Sequence, residues 1–160
     1  MKKIFLSIVL ALATTVCTAQ SVNDVIREFK GAKGAVCLNI DKSMMNVMGQ
    51  GKGKMSLPEN INLGDLGEIG KAVDSLKILV LEDCNASIKN KFVKKNINWK
   101  KYGYEPVVVT NEDDENVQIY AKKNGDNFKE IVVRVASGKD EGVLVQVFGN
   151  IDPKMLNNMK

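Results

Sequence analysis

Four methionines, Met44, Met45, Met48 and Met55, lie within or just before a glycine- and lysine-rich stretch, NVMGQGKGKM, at residues 46–55. Two chemistries compete for it. A phosphate loop needs Gly-x-x-x-x-Gly-Lys-Ser/Thr, so that backbone amides surround the phosphates. Counting back from Lys54 demands glycine where Met48 stands, counting back from Lys52 demands it where Asn46 stands, and neither lysine precedes Ser or Thr. Phosphate cradling fails on that count. Thioethers are soft ligands that select Cu(I), which makes the four methionines a candidate copper site. Against it, Met44 and Met48 are one helical turn apart, and methionine readily fills gaps in a core; core packing is the expectation.

The remaining reactive groups are few. Histidine, the commonest general base, is absent. Glu82, Asp83 and Cys84 crowd one strand end, but neighbouring carboxylates raise a thiol's pKa, and successive strand residues point to opposite faces. The NEDDE turn at residues 111–115 lacks the spaced oxygen ligands of a calcium loop. With two cysteines outside the N-terminal region and no histidine, a zinc site lacks its usual ligands. No enzyme and no cofactor are expected. Cys37 and Cys84 each sit in an apolar strand pattern, where they could form a disulfide or stay as buried thiols. Asp74-Ser75-Leu76 fits a short O-glycosylation pattern, with Ser75 as acceptor. Asn85-Ala86-Ser87 fits an N-linked one, although Asn85 also reads as a helix cap.

Residues 1–19 give an address. Lys2 and Lys3 precede an apolar run and then small residues ending at Ala19, the order of a secretory signal peptide and too short to span a bilayer. Cys17 raises lipid anchoring as a rival, but Val16 and Thr14 stand where a lipobox wants a small residue and leucine. Export to the periplasm or beyond follows. Losing Lys2 and Lys3 lowers the formal charge from +4 to +2, too little to suggest nucleic acid. Residues 20–160 are long enough for one domain with its own core.

Elements must then place these groups. Ser21 and Asp24 have capping-box spacing, and Val22, Val25, Ile26 and Phe29 share a helical face. A strand is predicted over 35–40, then a short helix capped by Ser43. Residues 49–64 have linker composition. A helix is predicted from Asp65 through Leu66, Ile69, Val73 and Leu76, followed by a doubly buried strand, KILVL, at 77–81. Asn85 should cap a helix with Ile88, Phe92 and Ile97 inward. Its outer lysines, with Lys100 and Lys101, read as a solvated helix back.

Four β runs separated by turn chemistry then predict an antiparallel meander, with a short helix closing the chain over 152–159. Alternation puts Ile131, Val133 and Val135 on one face with Val143, Val145 and Val147, expected to pack on the helices. The opposite, mixed face carries Gln118, Tyr120, Lys122, Arg134, Gln146 and Phe148 and is expected to be solvated. Tyr120, Arg134 and Phe148 there are candidate partner-binding residues. The fold class is α+β: helices on one face of a mainly antiparallel sheet ending in a four-stranded meander, with a ferredoxin-like variant compatible.

The segments VCLNIDKSMM, VDSLKILVLED, YGYEPVVVTNEDDENVQIYAKKNG, FKEIVVRVA and GNIDPKMLNNM together resemble the bacterial domain-of-unknown-function 4252 family over nearly all of the chain after residue 19. That resemblance implies a small exported or lipid-anchored protein and carries over no catalytic residues. A soluble envelope protein that binds another envelope protein or a glycan is the reading that results.

Overall fold

The computed structural model describes residues 20–49, 71–112, 115–137 and 142–156. The expected signal peptide, nearly all of the expected linker with Met55, the start of the helix expected at Asp65 and the chain's last residues lie outside them. Ser21 caps α1 (Val22–Phe29): its Oγ accepts the Asp24 amide at 3.2 Å, and the Asp24 carboxylate accepts the Ser21 amide at 3.1 Å. This is the reciprocal box its spacing predicts. Strand β1 (Val36–Asp41) runs into α2 (Lys42–Gly49), where Asp41 accepts the Met44 amide at 2.9 Å and so takes the capping role expected of Ser43.

Strand β2 (Val73–Val80) corrects the predicted helix. Val73 and Leu76 are strand residues, because β2 lies inside the sheet, paired with β6 from Val73 to Val80 and with β1 from Ser75 to Val80. Those pairings satisfy its backbone groups on both edges, which a local helical pattern cannot outweigh. Asn85 caps α3 (Ala86–Val93), accepting the Ile88 amide at 3.0 Å. The meander follows as β3 (Glu105–Glu112), β4 (Glu115–Asn124), β5 (Asn127–Ser137) and β6 (Gly142–Ile151), then α4 (Pro153–Leu156). The six strands form one sheet in the order β1-β2-β6-β5-β4-β3. Every neighbouring pair is antiparallel.

The two faces are occupied the other way round from the expectation. Val25, Ile26 and Phe29 of α1 and Phe92 of α3 pack with Leu79, Val132, Ala136 and Leu144. These sheet residues alternate with the valine set and share the face of Tyr120, Arg134 and Gln146. Phe29 and Phe92 meet edge to face at 5.5 Å. Gly142 leaves room for Leu81 and Phe92, since a Cβ there would stand 3.1 Å from the Leu81 Cβ and 3.3 Å from the Phe92 ring. Ile131 belongs instead to the aliphatic face, with Ile40, Leu76, Ile78 and Val80 and the half-buried Val133, Val143, Val145 and Val147. Met45 of α2 packs there, so helices touch both faces of the sheet.

The reason is Arg134. It is 5% exposed and donates to the Phe92 and Val93 carbonyls at 2.7 and 3.0 Å, in the last turn of α3, where a positive charge is favourable; the Phe92 carbonyl also accepts the Lys95 amide at 3.1 Å. A residue that hydropathy assigns to solvent thus helps, with Phe92, to hold the helix to the sheet. Both Cys37, exposed, and Cys84, buried, are free thiols, so the possible disulfide is not formed.

Candidate functional site

The loop 96–104 joins α3 to β3 and turns back on itself, with the Tyr104 amide donating to the Trp99 carbonyl at 2.9 Å. Gly103, at φ +77°, supplies a backbone conformation that other residues rarely adopt. The turn brings Trp99 against two tyrosines. Its ring lies flat on Tyr120 of β4, centroids 4.1 Å apart and planes within 6°, and edge-on to Tyr104 at 5.4 Å. Such pairs contribute about 0.5–1.5 kcal/mol each beyond area burial. Around them opens a recess of about 520 Å³, its apolar wall completed by Ile97 and Pro106. Asn96, Asn98 and Lys100 form its polar rim.

Beneath the recess lies a buried polar network. The Tyr104 hydroxyl donates to the Glu130 carboxylate. Gln146 Nε2 donates to the same carboxylate at 2.6 Å, and Lys122 Nζ pairs with it at 2.9 Å. Lys122 also sits 4.1 Å from the Tyr104 ring centroid, a cation over an aromatic face. Burial alone would push the Glu130 carboxyl up, but the donors Tyr104, Gln146 and Lys122 outweigh it and hold the pKa below the usual value. Burial, followed by the bond to Glu130, pushes the Tyr104 phenol up. The phenol therefore stays protonated and the carboxylate ionised, which fixes the Tyr104 ring as a rigid floor.

The structure separates the predicted partner-binding residues. Tyr120 is in the recess, half-buried under Trp99. Arg134 is spent on α3 and Gln118. Phe148 is on β6, with β5 between it and Tyr120, and lies 5.5 Å from Lys77 Nζ. Of the candidate copper ligands, Met44 is 38% exposed and Met45 packs on the aliphatic face. The Met48 side chain and Met55 lie outside the described residues. Ser75 is half-buried in strand β2, in register with Asp41 on one side and Phe148 on the other. Glu82 and Asp83 are exposed beside the buried Cys84, whose thiol burial pushes up.

Trp99 is the recess residue that sequence reading passes over. It is the chain's only tryptophan, yet it sits in a loop without periodicity. The signal available was local: Trp99, Tyr102 and Tyr104 are an aromatic cluster in a chain that is 6% aromatic. A sequence model of a protein family, described as domain of unknown function (DUF4252), matches residues 29–159. No curated protein and no solved structure matches the chain.

Proposed function

We propose that this chain, which belongs to the family described as domain of unknown function (DUF4252), is an exported cell-envelope protein that acts by binding, not by catalysis. The observation that carries the reading is the recess of Trp99, Tyr104 and Tyr120. Its three rings are held rigid by stacking and by the Glu130 network. Its volume falls within the range of small-ligand sites. Rigid aromatics with a polar rim bind apolar or ring-shaped groups while losing little side-chain freedom. The partner is an envelope protein or a glycan that inserts such a group. Export rests on the order of charges and apolar residues in the first nineteen positions, and mass measurement of the mature chain from cell fractions tests it.

The binding reading is tested by capture from envelope extract with wild type, Trp99→Ala, Tyr120→Ala and Phe148→Ala side by side. Loss of one identified partner in the two recess variants, with retention in Phe148→Ala, is the expected outcome. A partner retained by both Trp99→Ala and Tyr120→Ala would rule the recess out. Because Trp99 is the only tryptophan, its emission reports directly on occupancy of the recess by a purified partner.

A further inference from the structure

The sheet ends at β3, which pairs only with β4 among the described strands. Natural edge strands are blunted by charge, proline or a bulge, because their outward N–H and C=O groups accept another strand. Here Pro106 and the irregular register between Pro106 and Val108 protect only the beginning. From Val108 to Glu112 the register with β4 is regular. The middle of the strand is also apolar and open: Val107, Val108 and Val109 are 41%, 41% and 46% exposed. Thr110 and Asn111 are exposed as well. Edge β1 differs, since it buries Ile40 completely and passes straight into α2.

We propose that β3 accepts an extended segment of a partner protein by antiparallel strand addition, a segment with a basic N-terminal end, a β-branched middle and an apolar residue near its C-terminal end. Antiparallel pairing continues the pattern of the whole sheet and is the stronger ladder. In that direction the segment's N-terminal end lies beside Glu112, which is in register with Glu115 of β4. One acidic position therefore ends the edge where the segment begins, whereas the acid at the other end, Glu105, already pairs with Lys123 at 2.7 Å; opposite charges across strands are favourable. The ladder ends before Pro106, which has no amide to offer and lines the aromatic recess, so the segment's other end leaves the edge there. A side chain there on the recess face would meet Tyr120 and Trp99. A second copy of β3 fits worse: pairing centred on Val108 and Val109 would set Glu105 of each copy, already paired with Lys123, opposite Glu112 of the other, and no residue of β3 is basic, so that register brings no favourable cross-strand charge pair. The proposal rests on the binding reading above, because the segment's C-terminal end occupies the same recess.

The test uses the mature chain and a synthetic peptide that begins with lysines, continues with alternating valine and threonine, and ends in tyrosine. Two controls replace the lysines by glutamates or N-methylate the peptide backbone along one edge. Amide hydrogen exchange reads β3, and Trp99 emission reads the recess. The lysine peptide should slow exchange at residues 108–111 roughly tenfold or more and shift the emission, and both controls should do neither. Val109→Pro should abolish the slowing; Val109→Lys, which keeps the backbone amide, should weaken it and serves if the proline variant fails to fold. Absence of slowing with the lysine peptide overturns the proposal. An emission shift without slowing at β3 overturns strand addition while leaving recess binding intact. Slowing at β3 that depends on protein concentration without any peptide makes a second copy the occupant and likewise overturns it.

Discussion

The two faces of this sheet are made by alternate residues of the same strands and are stabilised in different ways. The helix-covered face holds Phe92, Val132 and Leu144 together with Glu130, Arg134 and Gln146, all nearly inaccessible to solvent. The opposite face is almost wholly aliphatic, yet its valines 133, 143, 145 and 147 are only half-buried. Burial here follows from whether a polar group finds a partner under a helix, and hydropathy does not predict that. The recess belongs to the polar face because only that face has groups able to lock an aromatic floor in place.

The sharpest test of this contrast is truncation on each side. Phe92→Ala removes the aromatic that joins α3, α1 and the sheet and should cost about 3–5 kcal/mol. Val145→Ala, half-buried on the aliphatic face, should cost about 1 kcal/mol. Urea unfolding of both variants measures the gap; equal losses would mean that the two faces are packed alike.

Next in size is Arg134→Met, which keeps much of the side chain's length and apolar stem but removes the donors to Phe92, Val93 and Gln118. The carbonyls at the end of α3 lose a charged donor, a change of about 2–3 kcal/mol. Hydrogen exchange should show the loss concentrated in α3. A variant as stable as wild type would show that α3 is held by its apolar contacts alone.

Acid should loosen the helix-covered face first. Lys95, Lys91 and Gln20 outweigh the burial of Glu28 and hold its pKa down at about 2, and Glu130 is likewise held low. A carboxylate whose folded pKa is depressed stabilises above its unfolded value and loses that contribution as pH falls through the folded one. For Glu28 the loss runs from about pH 4.5 down to about 2. Allowing for solvent screening, that pair of lysine contacts contributes about 1 kcal/mol. Glu28→Gln should remove that part of the acid slope between those pH values in thermal melts; an unchanged slope would place the acid sensitivity elsewhere.

Much of the local structure was legible. The spacing of Ser21 and Asp24 specified a cap that needs only near neighbours, and the turn residues specified the meander. What could not be read depends on partners distant in sequence. Val73 to Leu76 has an acceptable helical pattern until β1 and β6 are placed beside it. Arg134 reads as solvated until the carbonyls of Phe92 and Val93 arrive over it. Of the site, Tyr120 could be picked out as an aromatic on a mixed strand, but its stacking on Trp99 depends on the turn of the loop 96–104.

The smallest effect is the most direct probe of the contrast, because it compares adjacent residues of one strand. Val132 is fully buried on the helix-covered face and Val133 is half-buried on the other. Threonine has nearly valine's shape and adds one hydroxyl, so the substitution measures the cost of placing a polar group at each position with packing almost constant. At Val132 an unpartnered hydroxyl should cost about 1–3 kcal/mol. At Val133, where solvent reaches the side chain, the change should stay within about 0.5 kcal/mol. Paired denaturation curves decide it. A Val133→Thr cost as large as that at Val132 would mean that the aliphatic face is as dry as the core under the helices, and the distinction between the two faces would then rest on chemistry alone and not on access to water.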